Sequence, residues 1–257
     1  MTDFVVTDLQ FNDINRINIM CTAPGKESES VLRESAEIHA QVARFGVKTF
    51  AVFDKEHPIA RLEVMPIDVA PFALHGEDLW FVRCVWVLPE YQNKGIAAEL
   101  MNAALSVAAG SSGIATVTYE NWTPVEFFQR YGFEVVDQRD SSILMLLKFE
   151  SSASVRFVKY KFQSRAFQNK ITVRLVMTGR CPWIMQSWRS WAAQVKQLYS
   201  GKVEIQESFI LHRCDAITQG EEGIYVDDIP YTGLQQLSAF VGFCKTQIEN
   251  KRKHKEM

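Results

Sequence analysis

The stretch from Leu79 to Ala109, LWFVRCVWVLPEYQNKGIAAELMNAALSVAA, constrains the fold more than any other. Its first ten residues are apolar except for Arg83, and rich in β-branched and aromatic types. Such a run suits a strand buried on both faces, in the middle of a sheet. Pro89 has no N–H for a ladder, so the strand should end near Leu88. Apolar residues then return at helical spacing, at Ile96, Leu100, Ala104 and Val107. A strand, a short turn and a helix therefore follow one another, with Gly95 at the junction. The first turn of a helix has N–H groups without intrahelical partners, at the positive end of its dipole. Gly95 and Ala97 leave that backbone bare, which suits a phosphate or pyrophosphate. An ordinary strand–turn–helix with a glycine at the bend fits the same residues.

The wider spacing separates the two readings. Gln92-x-x-Gly95-x-Ala97 after Val87-x-Pro89 resembles the acetyl-CoA loop of the GNAT acyltransferases. Downstream, Asn121 closes the apolar run Ile114 to Tyr119, and Glu126-Phe-Phe-Gln-Arg-Tyr-Gly-Phe133 follows. This is similar to the family's asparagine, short helix and Gly-Phe before a final strand. The resemblance covers residues 1–150. It implies an α/β (α+β) GNAT fold around a mixed central sheet, with acetyl-CoA as cosubstrate. It also implies that backbone groups at Val85, Trp86 and Val87 pair with the pantetheine. The amides of Gln92, Asn93, Lys94, Gly95, Ile96 and Ala97 would hold the pyrophosphate, and Asn121 would contact the cofactor or an ordered water.

A chain of 257 residues suits one large domain or two ordinary ones. A hydrophobic share of 47% supports packed cores, and no stretch approaches the ~18 uninterrupted apolar residues of a spanning helix. The opening MTDFVVTDLQ is acidic where a secretory signal would be basic, so the expected location is cytoplasmic, with no membrane partner. Cysteines at 21, 84, 181, 214 and 244 form neither a CxxC nor a zinc-type cluster, so neither a disulfide scaffold nor a metal is expected. Residues 1–150 hold 12 Lys/Arg against 21 Asp/Glu, whereas residues 151–257 hold 16 against 9. This division places a boundary near residue 150. The basic residues of the second part are dispersed except in the Lys251–Lys255 tail, so nucleic acid is not expected as a partner. Oligomeric state is left open, a homodimer included.

Along the chain, Phe4 to Leu9 reads as a first strand, and Asn12 or Asp13 caps a short helix through Cys21. Ser28 or Ser30 caps a second helix to Arg44, stopped by Gly46. Val47 to Asp54 and Pro58 to Met65 read as a hairpin. Pro66 to Asp78 has little periodicity and reads as a loop at the rim of the acceptor pocket. Thr123 and Pro124 suit the N-cap and N1 of a short helix, and Ser142 to Phe149 closes the sheet. Residues 151–170 read as a linker or one extra strand. The second part, 171–250, has the order β-α-β-β-β-α: Ile171 to Met177, Ile184 to Tyr199, Val203 to Ser208, a hairpin about Asp227-Asp228, and Gly233 to Ile248. Residues 251–257 read as a solvated basic tail. With Cys181-Pro182 at the first strand–helix junction, this part resembles a thioredoxin-like fold. The two-part layout, with Cys84-Val-Trp86-Val before the loop, resembles the YoaP-type acetyltransferases.

Direct attack of an amine on a thioester needs both substrates held together, a proton acceptor, a donor for the oxyanion and a proton for the thiolate. Glu120, beside Asn121 at a strand end, is the first candidate base, and Glu63 on the preceding hairpin the second. The family's usual acid, a tyrosine seven residues after the asparagine, is here Phe128. Tyr131 and Tyr119 are the other hydroxyls within reach, though each residue type more often packs. His75 lies in the rim loop, where histidines are usually solvated. Cys181, at a helix N-terminus after Arg180, is placed to be a low-pKa thiol. No second cysteine follows three residues on, and the stretch 214–225 has no proline to oppose it.

These residues predict an N-acetyltransferase that moves the acetyl group of acetyl-CoA to a primary amine of a small molecule or peptide. Two rival readings keep the same fold. One is a thiol-redox protein using Cys181 with a CoA-sensing GNAT domain. The other is a non-catalytic acyl-CoA-binding module.

Overall fold

A computed structural model describes residues 4–9, 14, 28–119, 123–160, 170–232 and 236–256. The expected helix from Asn12 or Asp13 to Cys21 lies outside the described residues, apart from Ile14, which is buried.

A seven-stranded mixed sheet carries the first part of the chain. Its strands are β1 (Val6–Asp8), β2 (Lys48–Asp54), β3 (His57–Pro66), β5 (Leu79–Val87), β6 (Gly113–Tyr119), β7 (Glu134–Arg139) and β8 (Ser142–Lys148). They lie in the order β1-β2-β3-β5-β6-β8-β7. The apolar run that opens at Leu79 is thus the fourth of seven, with neighbours on both sides. All pairings are antiparallel except β5 with β6. That single parallel pair requires a crossover, supplied by α2 (Ile96–Ala108). Helix α2 buries Ile96, Leu100, Met101 and Ala104 against one face of the sheet, together with Val82 and Phe128. The short α3 (Val125–Gln129) covers the same face, with Pro124 at its N-cap, where Thr123 was expected.

The opposite face is closed by the segment expected to be a pocket rim. Ile67, Val69, Phe72 and Leu74 are buried there with Phe81 and Leu144. The segment contains a 3₁₀ turn, Ile67–Val69, and a strand, β4 (Leu74–Gly76). Strand β4 pairs antiparallel with β9 (Val155–Phe157), which lies in the expected linker. Both strands have three residues, too few for an alternating pattern to show.

The second part has a four-stranded sheet in the order β11-β10-β12-β13. These are β10 (Ile171–Met177), β11 (Val203–Phe209), β12 (Gly223–Val226) and β13 (Ile229–Pro230). Strands β10 and β11 are parallel, joined through α4 (Pro182–Leu198), and the others antiparallel. Two helices differ from expectation. Helix α5 (Arg213–Gln219) had no periodic signal; His212 and Asp215 cap it reciprocally. Helix α6 (Leu237–Glu256) starts later than Gly233 and runs into the basic tail. Lys251 is tied down there, its ammonium donating to the Lys170 carbonyl at 2.7 Å and to Asp227 at 3.0 Å.

The two parts are packed together through α1 (Glu29–Ala43). This helix buries Val31, Ser35, Ile38, His39 and Val42 at helical spacing, and Val31 belongs to the core of the second part. Arg189 of α4 holds Glu34 of α1 at 2.6 Å and Glu207 of β11 at 2.8 Å. Gly179, between β10 and α4, has φ +70°, and a Cβ there would stand 2.2 Å from Ile38 of α1 and 3.1 Å from Phe209. Only glycine supplies both the left-handed backbone and the clearance. The turn Thr178-Gly179-Arg180 is therefore pressed against the first part.

Candidate active site

The site begins with a fault in the central strand. Along β3 and β5 the register runs Glu63 opposite Cys84, then Val64 opposite Val82. Arg83 is the extra residue, so β5 bulges there. The parallel rungs with β6 end beside it, at Val82 and Thr116. Beyond that point Val85, Trp86 and Val87 keep β3 as a partner, while the ladder with β6 has ended. Meanwhile Val117 to Tyr119 stay on β8. Two adjacent strands thus part into a wedge, and the bulge reverses the alternation. Val85 and Val87 join the core on the α2 face, whereas Trp86 is 37% exposed.

The wedge opens toward the turn before α2. The Leu88 amide donates to the Ile59 carbonyl at 2.9 Å, and Pro89–Tyr91 form one 3₁₀ turn. Gln92 folds its side-chain amide onto the Val87 carbonyl at 3.1 Å, and its backbone amide donates to the Pro89 carbonyl at 3.2 Å. Asn93 and Gly95 both have positive φ, 61° and 84°. Gly95 is the N-cap of α2, without a side-chain cap, and a Cβ built on it meets nothing within 4 Å. Lys94 lies over the Tyr91 ring, its ammonium 4.7 Å from the centroid. Ile96 is buried and anchors the helix, and Ala97 is half-buried. A bare N-terminus of a thirteen-residue helix, with a cation beside it, is suited to an anion.

Glu120 and Asn121 lie outside the described residues. The two tyrosines fall on opposite faces of the sheet. Tyr131 packs on the α2 side, edge-on to Phe127 with ring centroids 5.4 Å apart. Tyr119, at the end of β6, packs on the other side. Burial, with the Glu221 and Glu222 carboxylates nearby, pushes its hydroxyl up to about 12. Tyr119 therefore holds its proton at neutral pH, and more firmly than an ordinary tyrosine does. Phe128 is buried between Phe127 and Phe133, a packing role that explains the missing hydroxyl.

Glu63 is not a base. It is fully buried, and Arg180 Nε lies 2.7 Å from its carboxylate, with Arg61 at 3.4 Å and Arg83 at 3.8 Å. Burial alone would raise its pKa; Arg180, then Arg83, outweigh that and hold it near about 2. His75 is also removed from the site. It is exposed on β4, in a depression with Gly76, Ser112 and Ser154, at the other end of β5 from Gly95.

What sequence reasoning missed is the set of charges that the second part brings to the bulge. Arg83 donates to Glu222 at 2.8 Å and to the Thr178 hydroxyl at 2.9 Å. Thr178 in turn donates to Glu222 from its hydroxyl at 2.7 Å and its amide at 3.1 Å. Glu221 accepts from the Ala73 amide at 2.6 Å and pairs with Arg139. Cys181, half-buried at the N-cap of α4, stands with Cys84 close enough to influence Arg83 electrostatically. No disulfide joins the described cysteines, and none of the described residues cluster as metal ligands. The one signal for this network was Arg83 itself, a lone charge in a buried run.

His39 supplies a measurable consequence. Its Nε2 lies 3.2 Å from the Arg180 carbonyl, so the neutral ring carries its proton there and donates it. Burial, partly opposed by Glu63 and reinforced by Arg61 and Arg180, lowers its pKa to about 3. Between about pH 6.5 and 3 the unfolded chain is protonated at this ring and the folded chain is not. Stability should therefore fall on acidification, by up to about 1.4 kcal/mol per pH unit. Glu63, also depressed, adds to the same slope only below pH 4.5, its unfolded value. His39→Gln should flatten the slope between pH 6.5 and 4.5 in denaturant titrations. An unchanged slope would refute the assignment.

Residues 48–135 match the family model of the acetyltransferase (GNAT) domain. Over 140 residues the chain is 25% identical to the uncharacterized N-acetyltransferase YoaP of Bacillus subtilis (strain 168). That alignment covers 51% of this chain and 55% of the relative, so the chain spans about half the length of the curated relative it matches. Among solved structures, the PaiA N-acetyltransferase of Thermoplasma acidophilum in complex with coenzyme A aligns with a TM-score of 0.41 and 17% identity, covering 58% of this chain and all of that one. A GNAT family acetyltransferase of Brucella melitensis in complex with acetyl-CoA aligns at 0.42 and 15%, covering 62% and 97%. None of the described helices is long and apolar enough to cross a membrane.

Proposed function

We propose that this chain, which carries an acetyltransferase domain of the GNAT type at residues 48–135, transfers the acetyl group of acetyl-CoA to a primary amine of a small molecule or peptide. The observation that carries the reading is the wedge beside the Arg83 bulge, aimed at an uncapped helix N-terminus. Acetyl-CoA, the cosubstrate, supplies the thioester. The stretch Val85–Val87, beyond the end of the ladder with β6, suits an amide-bearing chain lying along it, and the Gln92–Ala97 backbone suits a pyrophosphate. Glu120 is the base in this reading, with Asn121 beside the cofactor. In the reaction the amine nitrogen forms a C–N bond, the C–S bond breaks, and one proton leaves the amine while the thiolate gains one. Tyr119, at the end of β6 beside the wedge, is the proton donor in this reading.

In the same reading, residues 171–250 form a thioredoxin-like unit that closes the acceptor side and does no redox chemistry. The partly covered Cys181 and the buried turn before it support this. The test is acetyl transfer across a panel of primary amines, read by release of free thiol, beside calorimetry with CoA. Transfer to at least one amine class is expected. Tight CoA binding with no transfer to any amine would leave only a binding module.

A further inference from the structure

The bulge that opens the wedge also holds guanidinium groups whose hydrogen-bonding capacity is not used. Arg83 has 7% of its side chain exposed, and Arg180 none. Arg83 commits Nη2 to Glu222 and Thr178, while its Nε meets no acceptor. Arg180 sets Nε against Glu63 and Nη2 against the Met65 sulfur at 3.4 Å, while its Nη1 meets no acceptor. Glu63 is already shared among three guanidinium groups. Burying an N–H of a charged group without an acceptor is costly, and such groups gather where a ligand completes them. The wedge is where an acceptor must approach the thioester, and Arg83 is the residue of the bulge itself.

We infer that the acceptor amine also carries a carboxylate, received by Arg83 at the bulge with Arg180 behind it. The inference rests on the transferase reading above. A planar carboxylate matches the guanidinium edge. Glu63 and Glu222 already occupy other edges of the same groups, so a dianion such as a phosphate monoester would meet two carboxylates at close range. A monoanion meets less repulsion. The acceptor class is therefore amino acids and related amino carboxylates, not plain amines or polyamines. Two of the groups that define it, Thr178 and Arg180, come from the second part of the chain, which makes that part a determinant of specificity.

The experiment is calorimetry on the full chain, first with CoA and then, on the CoA-loaded protein, with matched pairs. Each pair is an amino acid and its carboxamide, for example leucine and leucinamide, across several side chains. Acids should bind at least tenfold more tightly than their amides, and this ratio should shrink toward one in Arg83→Gln. The comparison on the parent chain stands without the variant, should Arg83→Gln fail to fold. Equal binding of acids and amides, or binding of neither while CoA binds normally, overturns the inference and leaves the transferase reading standing. Failure of CoA itself to bind overturns that reading, and this inference with it.

Discussion

Arg180→Met should destabilise the folded chain by about 3–5 kcal/mol, the cost of removing one partner from a buried ion pair. Arg180 is fully buried, and its Nε lies 2.7 Å from the Glu63 carboxylate. Without it, Glu63 retains Arg61 at 3.4 Å and Arg83 at 3.8 Å, both less well placed. The carboxylate stays in the interior with weaker compensation, so its pKa should climb. A chain of this size should then melt roughly 6–20 °C lower. The companion variant Glu63→Gln removes the stranded charge. Combined with Arg180→Met, it should cost much less than the sum of the two single changes, because a buried pair replaced as a unit is often near neutral. Denaturant titration of all four proteins measures the coupling. Additive losses would mean that the two groups do not depend on each other.

Gly95→Glu should weaken CoA binding by on the order of 10²-fold or more by setting a carboxylate where the α2 dipole favours an anion. A Cβ at this position meets nothing within 4 Å, so the fold has room for the side chain. The strain comes from φ +84°, which costs a residue with a Cβ about 1–2 kcal/mol. Gly95→Ala carries that same backbone cost without the charge. The two variants should therefore melt alike and bind CoA very differently. If Gly95→Glu binds CoA as the parent does, the pyrophosphate does not sit on this turn.

The parts legible in the sequence are those where one local signal determines the outcome. Nine apolar residues and Arg83, ended by a proline, gave the central strand, and an apolar period of 3.6 after Gly95 gave α2. The segment Pro66–Asp78 misled because its apolar residues follow no period. They are buried by strands distant in the chain, β9 among them, and not by an element of their own. Lys251, the first residue of the basic tail, misled for a related reason. Charge suggested solvent, but Asp227 and the Lys170 carbonyl, far away in sequence, hold Lys251. The network of Arg83, Arg180 and Glu222 could not be read, since no spacing rule links strand β5 to two separate turns of the second part. Glu63 reads as the second candidate base from its place on the hairpin; its three guanidinium neighbours became visible only in three dimensions.

The turn pressed beneath α1 sets an order for synthesis on the ribosome. Arg180 is added more than a hundred residues after Glu63, an interval of roughly ten seconds at ordinary elongation rates. Through that interval β3 and β5 carry their full set of charges while the groups from the second part have yet to be made. The nascent chain has the loop before α2 complete, but the side of the wedge facing Arg83 is open to water. Closure waits for Thr178, Gly179 and Arg180, and then for Glu222 some forty residues later. Growing chains stalled between those points would separate the two stages, with the turn before α2 formed first and the network of Arg83, Thr178 and Glu222 last.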